Sequence, residues 1–455
     1  MNRRKLTAVA VAVLMCLAIF TSTVSAKEQN VDVAFSITQR VSLEEINKEF
    51  SRMVEMDNNI PIAGAGANTE NTMPVFAATN CLLPRIVLFE KEILDDGMAK
   101  YLIRIQMEHG KYDFIDSTIF VEENSEKKDL LTVSPGGSLK KGFYEKTARW
   151  LTENNDRAVS ILDRREANVP IYETDFSFMG NWTNDTYTRD MYYGIVASKM
   201  LTMMVNCHAT GHYSYDINVS AFGDSFGAEQ VIEYEASAYD DRPWGNVTKI
   251  VVREMAIEFD PAHTDLIETQ AKRYVNITER ISNGTDHNDG MAGMISIAQL
   301  ADCCPNETSP FNPGVTNIIL FRMMATQTFL FDEYSFTPDF HYWTGDINGL
   351  YYVNETKVLE TTINGGASPY FPLNLDKHVA GLMGGIEGYS IDHQKIDSEI
   401  LYIGASKGGF GYYGIPWYIE NNDDVTVLIW KTPGHAGSLP DCDPVLLSMI
   451  SAWLG

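Results

Sequence analysis

The chain has little proline, 17 in 455 residues, and little cysteine, six in all. The first scarcity excludes collagen and Pro-rich low-complexity chains. The second excludes a small disulfide scaffold, and the adjacent pair Cys303-Cys304 does not fit the ligand spacing of a zinc site. Positive charge is also short. Lysine and arginine total 35 against 61 acidic residues, a net charge of −26. A phosphate backbone needs a basic face, so nucleic acid is excluded as the main partner. After Phe20 no stretch approaches the ~18 uninterrupted apolar residues of a membrane span. What the chain does have is 45% hydrophobic residues and enough length to bury a full core.

The N-terminus reads as an export leader. Arg3, Arg4 and Lys5 precede the apolar run Leu6 to Phe20, and Val24-Ser25-Ala26 offers a small-residue cleavage site before Lys27. Residues 1–26 are therefore expected to be a signal peptide, and the mature chain to be secreted or extracytoplasmic, with cell-surface association left open and no membrane span. Sequons agree with export. Asn181, Asn184, Asn246, Asn276, Asn283, Asn306 and Asn354 are glycosylation candidates. Asn218 also opens a sequon but falls in an expected buried strand. Without Cys16 five cysteines remain, so at least one thiol is free or pairs outside the chain. A disulfide joining Cys303 or Cys304 to Cys207, Cys81 or Cys442 is expected, with the partner left open.

Residues 27–83 read as an N-terminal extension and linker. Leu43, Ile46, Phe50 and Met53 stand at helical spacing there. From Pro84 onward, strand-like and helix-like segments alternate. Strands are expected at 85–94, 101–107, 114–121, 129–133, 157–162, 215–222 and 249–259, and helices at 143–152, 191–205 and 230–238. Such alternation implies a mostly parallel sheet flanked by helices. Residues 261–395 break the rhythm with aromatics and the glycine pairs Gly365-Gly366 and Gly384-Gly385, and read as an inserted cap. Strands at 399–404 and 425–430 and a helix at 444–454 complete the core. The expected units are thus a core of 84–260 with 396–455, and a cap of 261–395.

Gly223-Asp224-Ser225-Phe226-Gly227 matches G-x-S-x-G between an apolar strand and a helix. A sharp strand-to-helix turn there would hold Ser225 in a strained backbone, with glycines where side chains would clash. At this point the sequence resembles the α/β-hydrolase family over about residues 84–260 and 396–455. Ser134-Pro135-Gly136-Gly137-Ser138, Asp163-Arg164-Arg165 and His435 in Thr432-Pro433-Gly434-His435-Ala436-Gly437 fall in the family's order around Ser225. The resemblance implies an α/β-hydrolase fold, with the cap inserted before the last two strands. It also implies Ser225 as nucleophile, His435 as base, and an oxyanion hole from the backbone N–H groups of Phe226 and of Gly136 or Gly137. The third member departs from the family pattern. The turn Gly404-Ala405-Ser406-Lys407-Gly408-Gly409 carries no acid. A second family position, after the strand that follows the nucleophile, points to Asp260, with Asp265, Asp441 and Asp443 as other options.

The function so implied is a secreted serine hydrolase acting on a small-molecule or lipid-like ester, with no cofactor. A peptidase on the same fold and an inactive hydrolase-fold binding protein are the alternatives, since nucleophile, base and oxyanion hole serve esters and amides alike. No metal site is expected. His208 and His212 stand four apart but lack a third ligand, and Asp286-His287-Asn288-Asp289-Gly290 lacks the glutamate of a calcium loop.

Overall fold

The computed structural model describes residues 42–58, 84–94, 97–326, 342–406, 413–430, 434–436 and 443–455. The expected leader, Cys81, Cys442, Asp441 and Lys407 lie outside these.

Short apolar runs build the sheet. Strands β1 (Arg85–Ile93), β2 (Met98–Gln106), β3 (Phe114–Glu122), β4 (Asp129–Ser134), β5 (Arg157–Asp163), β6 (Asn218–Asp224), β7 (Lys249–Arg253), β8 (Glu399–Ala405) and β9 (Val425–Trp430) form one sheet in the order β1-β2-β3-β5-β4-β6-β7-β8-β9. From β5 to β9 every pairing is parallel, whereas β1, β2, β3 and β5 pair antiparallel. The parallel strands β4 to β8 are buried on both faces, which is why Leu-Leu-Thr-Val and Ile-Leu-Tyr-Ile read as continuous rather than alternating apolar runs.

Helices cover both faces. On one side lie α1 (Leu43–Asn58), α3 (Asn184–Thr210), α4 (Phe226–Glu235) and α10 (Ile415–Asn421). On the other lie α2 (Lys141–Asn154) and α11 (Pro444–Leu454). Helix α1 falls in the segment expected to be extension and linker, yet it is packed into the core. Ile46, Phe50 and Met53 are buried as their spacing predicts. The Asn47 side chain also stands in for a missing strand partner. Its amide donates to Ile86 O and its oxygen accepts from Ile86 N, both at 2.7 Å, beside the register shift in β1. Asp57 at the helix end accepts from the buried Tyr192 hydroxyl at 2.8 Å.

Three expectations change here. The apolar run 249–259 is not one strand. β7 stops at Arg253, and Glu254 takes φ 50°, a left-handed conformation that ends the extended backbone. Met255, Ala256 and Ile257 are nevertheless buried, so they are apolar because of burial and not because of strand pairing. Asn218 is exposed at the start of β6, its amide on Asp129, and is not buried in the strand. Cys207, Cys303 and Cys304 are all free thiols, so the expected bridge from Cys207 to either neighbour is not formed.

Between β7 and β8 run α5 (Thr264–Ser282), α6 (Gly290–Cys303), α7 (Asn317–Ala325), α8 (Glu355–Thr361) and α9 (Leu373–Met383). α5 and α9 pack together, with Ile277, Leu373 and Ala380 forming a small core of their own. No helix among the described residues is long and apolar enough to cross a membrane.

The end of β5 carries a buried carboxyl that makes stability depend on pH. Burial is the largest influence on Asp163 and pushes it up to about 7, with Asp116 adding to the rise and Lys140 and Lys141 opposing it. The folded protein therefore holds a proton that the unfolded chain releases near pH 4. Stability from this group falls as pH rises from about 4 to about 7, by at most about 1.4 kcal/mol per pH unit. Asp163→Asn keeps an acceptor for the Lys141 N–H and should remove that slope. Urea midpoints across pH 4–8 for both proteins check this.

Candidate active site

The site begins at the turn from β6 into α4. Ser225 sits at φ 52°, ψ −123°, and its N–H donates to Arg253 O at 2.8 Å. Such a backbone is costly for a residue with a side chain and persists only where its surroundings fix it. Here close packing fixes it. A Cβ on Gly223 would meet Ala228 Cα at 2.4 Å, and one on Gly227 would meet Ser134 O at 2.1 Å. The glycines of the motif thus let α4 start at Phe226, earlier than its hydrophobic pattern predicts.

His435 lies against this turn. Its Nε2 is 2.8 Å from Ser225 Oγ. Its Nδ1 faces Glu254 Oε2 at 3.4 Å, looser than the usual ~2.7–3.2 Å. Glu254 is fully buried. Its Oε1 accepts from Ala405 N at 2.5 Å and its N–H donates to Ile403 O. The carboxylate facing His435 is therefore Glu254, not Asp260. Asp260 turns its carboxylate to the Ala262 N–H at 2.8 Å. Asp265 is exposed in the first turn of α5, and Asp443 caps α11. The turn after β8, which lacks an acid, supplies a backbone donor that aims Glu254.

A buried network ties these loops together. The Arg253 guanidinium donates to His435 O at 2.7 Å and lies 2.6 Å from Asp224 Oδ1. Asp224 Oδ2 accepts from the Tyr144 hydroxyl at 2.6 Å, and that hydroxyl accepts from Gly136 N at 2.9 Å. Gly136 is thereby corrected as an oxyanion donor, because its N–H is already engaged. Gly137 remains, next to Phe226, and both line the cavity. Arg164 binds the carbonyls of Pro135 and Gly136 from below and lies 5.0 Å from the Phe226 ring. Arg165 pairs with Asp190. The Asp163-Arg164-Arg165 turn thus props the loop opposite Ser225.

Ser225 and His435 open into a cavity of about 710 Å³. Its apolar walls include Met255, Met291, Met294, Met324, Met383 and Phe371. Lys272 and Arg280 of α5 give it a basic side, as does Arg273, which pairs with Asp376. Residues between β7 and β8 therefore roof Ser225. Loop 365–368 seats this roof on the core. Lys140 N donates to Gly366 O at 3.1 Å and Ser368 N to Ser138 O at 2.8 Å, and Gly365 adopts φ 95°. Tyr342 O accepts from Ala436 N at 2.8 Å, which binds the roof to the histidine loop.

Tyr144→Phe tests the network. It leaves the Gly136 N–H and one Asp224 oxygen buried without their partner, which costs about 2 kcal/mol. A lower urea midpoint with the fold retained is expected.

No protein-family model matches the chain, and no curated protein does. Solved structures do. A protein of Sulfolobus solfataricus described as a lipase is 17% identical, with a TM-score of 0.52 over 81% of this chain and 97% of its own. A soluble variant of monoglyceride lipase from Saccharomyces cerevisiae is 12% identical, TM-score 0.41, covering 84% and 98%. A thermostable carboxyl esterase from Bacillus coagulans is 11% identical, TM-score 0.45, covering 79% and 98%. The strand order, the turn at Ser225 and the similarity to the Sulfolobus structure agree: this chain has the α/β-hydrolase fold.

Proposed function

We propose that the protein is a serine hydrolase that cleaves a carboxylic ester or related acyl bond. The observation that carries this reading is the hydrogen bond between Ser225 Oγ and His435 Nε2, with Glu254 behind the ring. As Oγ attacks the acyl carbon, His435 takes its proton. Glu254 accepts from Nδ1–H, holds the tautomer and stabilises the imidazolium. The N–H groups of Phe226 and Gly137 receive the oxyanion. His435 then protonates the leaving alkoxide, and the acyl group stays on Ser225. In the second half His435 activates a water, which releases the acid and restores Ser225.

The methionine-rich cavity supports an apolar acyl or alcohol group, since flexible thioether side chains adapt to varied shapes. The intact nucleophile–base pair favours an enzyme over a decayed binding protein. Export belongs to the same proposal. It rests on the leader sequence and on the exposure of Asn181, Asn246, Asn276, Asn283, Asn306 and Asn354. Asn184 is half-buried and the weakest glycan acceptor of the set.

A fluorophosphonate probe and a panel of esters test the reading. Ser225→Ala should lose labelling and turnover with the fold unchanged. Glu254→Gln should lower kcat by roughly 10³–10⁴-fold, because an amide cannot stabilise the imidazolium. Asp260→Asn should leave kcat within about twofold, since Asp260 only caps a turn. Full activity in Ser225→Ala would overturn the proposal.

A further inference from the structure

Helix α4 carries a second cluster on the turn behind Ser225. Glu229 and Glu233 are one helical turn apart, so they share a face. His378 of α9 points between them. Its Nε2 is 2.7 Å from Glu233 Oε1 and 3.4 Å from Glu229 Oε1. One ligand atom from each of the three residues lies within 4.8 Å of the others. Glu229 is the telling member. It is fully buried, and neither carboxylate oxygen has a hydrogen-bond partner. A buried carboxylate in that state is strongly disfavoured unless a cation or proton meets it. The nearby Arg164 is committed to Glu166 and to the carbonyls of Pro135 and Gly136.

We propose that Glu229, Glu233 and His378 bind a divalent transition-metal cation of the zinc class, joining the nucleophile helix α4 to the roof helix α9. The donor set of one imidazole and two carboxylates suits such cations better than calcium or magnesium, which take oxygen alone. Tetrahedral bonds of ~2.0–2.2 Å separate ligand atoms by roughly 3.3 Å. The Glu229–His378 distance already matches, and the Glu233–His378 distance would open by about half an ångström. Glu233 and His378 are 16% and 20% exposed, which leaves an entry path and room for a water as fourth ligand. The other carboxylate cluster, Glu235 with Asp240 and Asp397, has no imidazole, and its buried members already accept from Ser398 N and Val247 N. The consequence concerns the cavity. Val379 and Met383 of α9 line it, so a cation at His378 would fix one wall.

The test is a competition titration of chelator-treated full-length protein with Zn²⁺ against a chromophoric chelator, repeated with Co²⁺ for its visible spectrum. One equivalent should bind. Affinity should fall by roughly 100-fold or more in both His378→Gln and Glu233→Gln. The Co²⁺ form should show d–d bands without a thiolate charge-transfer band. Circular dichroism and thermal melting establish that each variant is folded, and Glu233, being partly exposed, tolerates replacement if His378 does not. Absence of saturable uptake by the wild type would overturn the proposal. So would uptake unchanged in both variants, or a thiolate band placing the cation on Cys303 and Cys304.

Discussion

The ion pair between Asp224 and Arg253 is the contact on which the site depends. Asp224 is the residue before Ser225, and Arg253 ends the adjacent strand β7; both are almost completely buried. Neither group alone would tolerate that position, because an unpaired buried charge costs several kcal/mol. Paired, they connect three loops that are distant in sequence. Through Tyr144 the pair holds the Gly136 loop, through its own strand end it holds the turn at Ser225, and through the His435 carbonyl it holds the histidine. A buried ion pair is weak evidence for stability, but hydrogen bonds that converge from separate loops fix geometry.

The same strand end explains why the acid stands where it does. Glu254 follows Arg253 in a left-handed conformation, so one residue carries the ion pair and the next turns back toward the imidazole. Its second oxygen is satisfied by Ala405 N, in the turn that lacks a carboxylate of its own. The two strand ends lie side by side because β7 and β8 are parallel neighbours in register, Arg253 opposite Ile403.

Much of this was legible in the sequence. The alternation of strands and helices and the turn at Ser225 follow from apolar runs and glycine spacing, which are local signals, whereas His435 came from the resemblance to the α/β-hydrolase family. Glu254 was not legible, because the run from Lys249 to Phe259 has the composition of one long strand. Its end at Arg253 comes from tertiary packing: Met255 to Ile257 are buried without strand pairing. The visible signal was the charged pair Arg253-Glu254 inside an apolar run. Two adjacent charges are seldom buried there unless both have partners. Choosing between Gly136 and Gly137 needed the Tyr144 hydroxyl, eight residues on, whose direction no spacing rule gives. Helix α1 shows the opposite case. Its apolar face was plain, but the pairing of Asn47 with Ile86 beside the register shift in β1 had no signal in the spacing.

Helix α4 concentrates these demands. Its N-terminus places Phe226 N–H and the positive end of its dipole beside Ser225. Its first turn must also approach the sheet closely, which Gly227 and Ala228 permit. One turn on, Glu229 is buried in the same body of protein, where burial pushes its carboxyl up to about 8, so the charge it would carry when ionised and unpaired works against the field at the helix start. A neutralising partner at Glu229 therefore bears on the chemistry as well as on stability. Any group that supplies it from α9 joins the roof of the cavity to the helix that carries Ser225. The shape of the cavity wall and the field at the start of α4 then depend on one contact, because α9 also places Val379 and Met383 on that wall.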